Sequence, residues 1–489
     1  MEDIKQCIVV GAGIGGLASA MRLIAAGARV TVLERTATPG GKMRTVPSVA
    51  GPVDAGPTVL TMRWVFDDVF AALGESLADH VTLMQADTLA RHFWADGTVM
   101  DLSADPSQSI ENVHAAFGPA AAQEFTAFSA RAALLFNAFD APMMQAGKPS
   151  SVALVKTVLQ NPKLLWAMAP HQTLAQLLKS SFTEPKLHQL FGRYATYVGG
   201  SPYLSPALLS LIWHAEGTGV WAVKGGMHAL ARAMADLIVA RGGTILYNTD
   251  VTALNGTSVT TQDAIYTADA VVFNGDPRAL NQGFLGVEAQ RAVTVSATDP
   301  RSLSADVMAF AAMPGGPDLS HHNVFFGDDP LDEFTPLARG QDSTDPTLYV
   351  CAQDRGGGHT PTGPERFEII MNAPPCGDHD QRNQQKASQC QTLILRRLKH
   401  MGLTFAPMPS EAMLTQPADF HRMFPASLGS LYGRSPHGMT AALKRPTART
   451  AIKGLYLAGG GAHPGAGVPM ATLSAMHAVE AIKTDLGLI

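Results

Sequence analysis

Short β-branched runs alternate with longer helix-period runs at the start of the chain. Residues 8–10 (Ile-Val-Val) form an apolar run of strand length and read as a buried strand. Residues 17–26 read as a helix of small side chains closed by Gly27, and 29–33 as a second strand ending on Glu34. Together they predict a βαβ unit over 7–34. A Gly-Pro inside the strand-like run 54–61 predicts a bend at a domain crossing. Residues 66–105 mix short strands and turns, with a strand at 89–94 and a hairpin signal at Asp96-Gly97. From 107 to 225 the pattern turns helical and loosely amphipathic, at 112–139, 152–159, 173–179, 185–197 and 207–216. A helix at 228–240 and strands at 244–247 and 268–273 are again α/β in character, and predict a return to the sheet begun at Ile8. Strands at 303–310, 323–326, 347–352 and 367–372 follow, interrupted by a helix at 384–399. A buried strand at 455–458 then leads through a glycine-rich turn into a helix at 470–484.

With 489 residues, 46% of them hydrophobic, the chain can bury a large core in two or three domains. The net charge of −5 argues against a general polyanion binder such as a nucleic-acid protein. Cys7, Cys351, Cys376 and Cys390 are scattered with no C-x-x-C pair, which suits a reduced compartment and offers neither a disulfide framework nor a metal cage. The uncharged run 7–21 ends at Arg22, short of the ~20 residues that cross a bilayer. Glu2 and Asp3 do not suit a signal peptide. The expectation is a soluble or peripheral protein. One region departs from the overall charge. Between 151 and 230, Lys156, Lys163, Lys179, Lys186, Arg193 and Lys224 face only Glu184 and Glu216. Leu164, Leu165, Trp166 and Met168 sit among them. Such a basic amphipathic segment suits an anionic membrane surface, and a helical domain with a solvated face is the alternative.

The chemistry concentrates in glycine-rich turns. Gly11, Gly13 and Gly16 satisfy G-x-G-x-x-G between a strand and a helix, with Ile14 and Gly15 inside the motif. The first glycine permits the tight turn, the second lets backbone approach a pyrophosphate, and the third lets helix and strand close up. The helix N-terminus offers free N–H groups to phosphates. Glu34, at the end of the second strand, can accept both ribose hydroxyls of an adenosine. These features predict a dinucleotide site. Gly40-Gly41 allow a second close approach, with Lys42 and Arg44 able to face phosphate; an ordinary surface turn reads equally well. The glycine cluster 459–467 enters a helix N-terminus that can stabilise an anionic reduced ring. His321, His322 and His421 lack partners at ligand spacing and read as surface or core histidines. No residue declares itself as a base; Asp140 and His214 are the candidates, and both residue types are more often structural in such settings.

Taken together, these stretches resemble the FAD-dependent carotenoid desaturases of bacterial phytoene-dehydrogenase type, within the flavin amine-oxidase-like superfamily. The resemblance spans nearly the whole chain. It is carried by GAGIGG with Glu34, PGGKMRT, DAGPTVLT, KGGM with ILYNTDV, ADAVVFNGDP and, above all, GLYLAGGGAHPGAGVPMATLS. The HPGAGVPMATLS stretch is closer to the 1-hydroxycarotenoid 3,4-desaturases (hydroxyneurosporene desaturases) than to phytoene desaturases. A phytoene desaturase, a flavin amine or porphyrinogen oxidase, and a flavin-free prenyl-lipid carrier are the alternatives; intact glycine clusters argue against the last.

The resemblance implies an α/β fold with a Rossmann-like FAD-binding domain from 1–65, 225–285 and 445–489. It implies a mixed-sheet, β-rich substrate domain from 66–106 and 286–444, and a helical membrane-facing subdomain from 107–224. Non-covalent FAD would have its pyrophosphate at Gly11, Gly13 and Gly16 and its ribose at Glu34. Gly41, Lys42 and Arg44 would line the phosphate and ribityl side, Val251 the adenine, and Gly461, Ala462, Val468 and Pro469 the isoalloxazine. Ile14, Gly15, Arg35, Met43, Pro57, Thr58, Asn274, Gly460 and Met470 complete the implied cofactor set, with no metal. Many relatives place an acid on the ribityl chain where this sequence has Gly460 or Gly461, which leaves that task to backbone. The substrate would be an acyclic carotenoid, met by a cytoplasmic protein held peripherally on the inner, photosynthetic membrane. Desaturation beside a polyene needs a hydride acceptor, orientation and a dry channel. The electron acceptor after FAD is left unassigned.

Overall fold

The computed structural model describes residues 4–358, 360–375 and 384–488; Cys376 lies outside them. Five parallel strands lie in the order Leu455–Leu457, Ala270–Phe273, Gln6–Val10, Arg29–Leu33 and Thr244–Leu246. Successive side chains of a strand point to opposite faces. Cys7 and Val9 therefore enter a core shared with the helices Ile14–Ala25, Met227–Ala240 and Val468–Leu486. Ile8 and Val10 enter a second core under the antiparallel strands Val251–Asn255 and Ser258–Thr261. Burial on both faces is why 8–10 is continuously apolar.

A mixed sheet stands against this layer. Its order is Thr404–Ala406, Ser304–Gly315, Glu365–Ala373, Leu348–Ala352, His322–Phe325, Thr88–Phe93 and Val99–Ser103. Neighbours are antiparallel except His322–Phe325 beside Thr88–Phe93. Along Glu365–Ala373 the apolar Phe367, Ile369 and Met371 pack with Ile394 and Leu398 of the helix Gln384–His400. Glu368, Ile370 and Asn372 fall on the other face, which is the one that lines cavities.

Two details differ from the sequence expectation. The helix Trp64–Ala71 buries Val65, Phe66, Val69 and Phe70, a helical stripe, in the same core as Val9. The strands expected in 66–105 therefore begin only at Leu83. The helix expected at 112–139 is two helices, Pro106–Phe117 and Pro119–Phe139. Gly118, at φ +90°, ends the first, and Pro119 cannot continue its hydrogen-bond ladder. The longer helix packs Phe125 and Phe128 against Leu177, Phe191 and Trp213 to form the core of the helical part.

Candidate active site

The carboxyl ends of the parallel strands open on a cleft of about 700 Å³ between the two layers. At its floor the two glycine-rich turns touch. A Cβ on Gly15 would lie 2.7 Å from the Gly459 nitrogen, and one on Gly16 would lie 2.0 Å from the Gly11 carbonyl oxygen. Only glycine lets the first helix sit that close to the strand. Asn274 donates from Nδ2 to the same Gly11 carbonyl (3.1 Å), tying the end of the Ala270–Phe273 strand to the first turn.

Glu34 is buried, and its carboxylate is fixed by the Ala12 N–H (2.6 Å), the Thr36 N–H (2.8 Å) and the Thr36 hydroxyl (2.7 Å). A carboxylate has about four lone-pair positions, so it keeps room for a further hydroxyl donor. Lys42 donates from Nζ to the Leu431 carbonyl (2.6 Å) and lies over the Phe424 ring. Burial pulls its pKa down to about 8, with Asp276 opposing the drop and Arg301 and Arg445 adding to it. Arg445 is likewise lowered to about 10 by burial and by the neighbouring Arg301 and Arg434. Its guanidinium donates to the carbonyls of Gly460 (2.9 Å), Tyr432 (2.7 Å) and Arg434 (2.8 Å). Buried cations with depressed pKa values call for an anion.

Of the residues implied by the resemblance, Gly11, Gly13, Ile14, Gly15, Glu34, Arg35, Gly41, Lys42, Met43, Arg44, Pro57, Val251, Asn274, Gly460, Gly461 and Val468 line this cleft. Thr58, Pro469 and Met470 line a neighbouring cavity instead. Gly16 lies beneath the turn, and Ala462 is packed in the core with Ile8 and Leu457. Asp140 and His214 line neither cavity: Asp140 accepts from the Gln145 amide, and the His214 ring packs on Phe136.

The sequence did not flag Glu368. It lines the cleft, is fully buried, and neither carboxyl oxygen has a partner among the described residues. Burial, with Asp54 adding and Arg44 opposing, holds its pKa well above the carboxylate range. Both of its oxygens are thus left to bond a ligand in the cleft. Its stretch, Glu-Arg-Phe-Glu-Ile-Ile-Met-Asn-Ala over 365–373, already carries Glu365, Arg366 and Asn372, so one more acid gave no signal.

The neighbouring cavity, of about 760 Å³, runs between the mixed sheet and the helical part. Its walls are mainly apolar, with Phe136, Phe139, Met143, Leu208, Leu211 and Ile212 on the helical side. Pro57, Ile370, Tyr432, Ala466, Gly467 and Val468 line both spaces, so cleft and tunnel meet there. The helix Val468–Leu486 begins at this junction and turns its positive end toward it.

His321 and His322, read as unpartnered, come together with Cys351 through the register that pairs His322 with Cys351. Their ligand atoms lie within 4.8 Å of one another. Burial holds His321 down at about 4, lowers His322 well below the ordinary imidazole range, and raises the Cys351 thiol. The group is neutral and fully enclosed.

The family model for flavin-containing amine oxidoreductases matches residues 14–483. The chain belongs to that family. It is a flavoprotein oxidoreductase, and the cleft fits FAD: a turn that only glycine can make, the buried cations Lys42 and Arg445 with lowered pKa values, and the orphaned acid of Glu368. The chain is 53% identical to a hydroxyneurosporene desaturase of Cereibacter sphaeroides over 99% of both chains. It is 47% identical to that of Rhodobacter capsulatus, again over 99% of both. A 1-hydroxycarotenoid 3,4-desaturase of Flavobacterium is 28% identical over 98% of this chain and 99% of its own. Among solved structures, an oxidoreductase from Methanosarcina mazei matches with a TM-score of 0.59 at 17% identity, covering 97% of this flavoprotein and all of its own chain. That likeness concerns the fold alone.

Proposed function

We propose that this flavoprotein is an FAD-dependent carotenoid desaturase acting on the 3,4 bond of 1-hydroxycarotenoids. The observation that carries the reading is the tunnel: a mainly apolar space of about 760 Å³ that shares wall residues with the cofactor cleft suits a polyene held beside a ring. The identity to desaturases of hydroxylated carotenoids supports the same substrate class.

Gly11, Gly13 and the helix end behind them hold the pyrophosphate, Glu34 the ribose and Val251 the adenine. Lys42 and Arg44 face the phosphate and ribityl side, and Gly460, Gly461 and Val468 the isoalloxazine. FAD supplies, when bound, the two-electron acceptor that dehydrogenation of a C–C bond requires. The chain's own contribution is to exclude water, through the apolar tunnel walls, and to fix the polyene at the junction.

A lipid substrate must be collected from a bilayer. Among the described residues no helix is long and apolar enough to cross one. We infer that the helices Ser151–Gln160 and Lys163–Met168 lie on an anionic membrane surface, on the cytoplasmic side of the inner membrane. Val152, Leu159 and Trp166 are 79%, 74% and 86% exposed, an unusual display for large apolar side chains. Lys156 and Lys163 stand exposed beside them. The opposite sides of the same helices pack Leu154, Val158 and Leu164 against Phe139, Leu208 and Leu211, which line the tunnel.

The test is incubation of FAD-loaded protein with liposomes containing 1-hydroxyneurosporene or, separately, phytoene, followed by chromatography of the polyenes. The expected result is a red-shifted product from the hydroxylated carotenoid alone. Conversion of phytoene would move the protein to the phytoene-desaturase branch, and no conversion of either would overturn the reading.

A further inference from the structure

The tunnel is mainly apolar, yet polar side chains stand in its wall, and three of their buried groups bear on a ligand. Two of them are spent on themselves. Glu216 accepts from Arg193 (3.0 Å) and Tyr194 (2.8 Å) on Oε1 and from Tyr197 on Oε2. Glu333 accepts from the Asn372 amide (2.8 Å) and from the Thr347 N–H (3.1 Å).

The third is different. The Thr58 and Tyr349 hydroxyls are 2.7 Å apart, and the Tyr349 hydroxyl is 2.6 Å from His322 Nδ1. His322 is buried and neutral, and its Nε2 has no partner among the described residues. The two hydrogen bonds of this chain run in either direction. With the proton on His322 Nδ1, that nitrogen donates to Tyr349, Tyr349 donates to Thr58, and the Thr58 hydroxyl proton is left for the neighbouring Cys351 sulfur or for a ligand. With Nδ1 unprotonated, Thr58 donates to Tyr349, Tyr349 donates to His322, and the Thr58 oxygen keeps its lone pairs. In both cases the tunnel end of the chain has unused capacity, as donor or as acceptor. The group that such an end fits is an alcohol, which is both.

Position points to the same group. Thr58 follows Pro57 in the chain, and Tyr349 stands opposite Ile370 in the sheet register; Pro57 and Ile370 line both cavities. The hydroxyl pair is thus beside the junction and not at the far end of the tunnel. In a 1-hydroxycarotenoid desaturated at the 3,4 bond, the carbon that carries the hydroxyl lies two carbons before the reacting bond. An anchor for that hydroxyl must stand at the junction too.

We propose that the Thr58–Tyr349 hydroxyl pair, backed by His322, holds the terminal hydroxyl of the carotenoid and thereby selects which C–C bond reaches the cofactor. This rests on the proposed substrate class. Thr58 and Tyr349 are positioning residues, and their loss separates hydroxylated from hydroxyl-free ligands.

The experiment uses the FAD-loaded full chain with 1-hydroxyneurosporene and neurosporene presented in the same vesicles. Binding is read by quenching of tryptophan fluorescence, turnover by chromatography, and integrity by flavin content and Tm. Thr58→Val and Tyr349→Phe each weaken binding of the hydroxylated ligand by roughly five- to tenfold, the worth of one hydrogen bond, and leave neurosporene within about twofold. Thr58→Ser keeps the preference. Should Tyr349→Phe not fold, Thr58→Val, which exchanges a hydroxyl for a methyl, carries the test. A wild type that prefers the hydroxylated ligand, with variants that keep that preference, overturns the anchor alone, as does an equal loss for both ligands. A wild type that binds both equally also overturns it. A wild type that binds neither carotenoid overturns the anchor and the substrate reading together.

Discussion

Lys42 offers a quantitative handle on the cofactor cleft. In the free protein its ammonium is buried against the Leu431 carbonyl, and its pKa falls from 10.5 to about 8. A diphosphate placed in the cleft favours the charged form, so anion binding and protonation are linked, and the bound-state pKa returns toward 10.5. The sign follows directly. Below pH 8 the charge is present in both states and affinity is full. Between about 8 and 10.5, binding must take up a proton from an increasingly dilute supply, and affinity falls. With a complete return to 10.5, FAD binds about 25-fold more weakly at pH 9.5 than at pH 7, or roughly 2 kcal/mol. Titration of apoprotein by quenching of flavin fluorescence at the two pH values measures the ratio. Lys42→Gln has no charge to lose, so it binds more weakly at pH 7 and its ratio collapses toward that of the flavin's own pH response. Equal ratios in wild type and Lys42→Gln would refute the reasoning.

Gly16→Ala places a methyl 2.0 Å from the Gly11 carbonyl and forces the first turn open; purified protein should carry clearly less flavin per chain, read from the 450 nm to 280 nm absorbance ratio. Arg193→Met strands Glu216 in the tunnel wall without its counter-ion and should cost about 3–5 kcal/mol in urea unfolding, part of which Glu216→Gln restores in the double variant. Asp306 is an acid whose pKa burial raises from 3.8 to about 7, so the unfolded chain gives up its proton earlier and stability falls as pH rises between those values. From pH 5 to pH 7.5 that loss is about 2.5 kcal/mol, and Asp306→Asn should remove it; an unchanged pH dependence in the variant refutes the assignment. Replacing Lys156, Lys163 and Lys179 together by Gln should weaken co-sedimentation with anionic liposomes, most at low salt, and unchanged sedimentation would sink the membrane reading.

The dinucleotide half of the fold was legible because its parts are local. Strand 8–10, the Gly11–Gly16 turn, the helix behind it and Glu34 are contiguous, and each has a period or a steric demand visible in sequence. The tunnel was not. Its walls come from 57–59, the helical part, the face of Glu365–Ala373 and the junction after Gly465, and only strand register brings them together. The same holds for Thr58, Tyr349 and His322, which sit far apart in the chain: the pairing of His322–Phe325 with Leu348–Ala352 brings the last two together, and Thr58 reaches Tyr349 from outside that pair of strands. Glu368 was hidden for a different reason. Its importance lies in lacking a partner, and no sequence pattern reports a missing hydrogen bond. The 112–139 span reads as one helix because its loosely amphipathic pattern runs on across Gly118-Pro119, where the backbone breaks.

The parallel sheet takes its middle strand from residues 6–10 and an outer strand from 455–457. During synthesis the Ala270–Phe273 strand therefore waits with an unpaired edge while nearly two hundred further residues leave the ribosome. The glycines at 459–461 that complete the cofactor cleft emerge after that strand. Flavin loading is consequently a late event in the life of each molecule. Until then the nascent chain exposes apolar β-structure, and its yield in the cell depends on what shields that edge as much as on the supply of FAD.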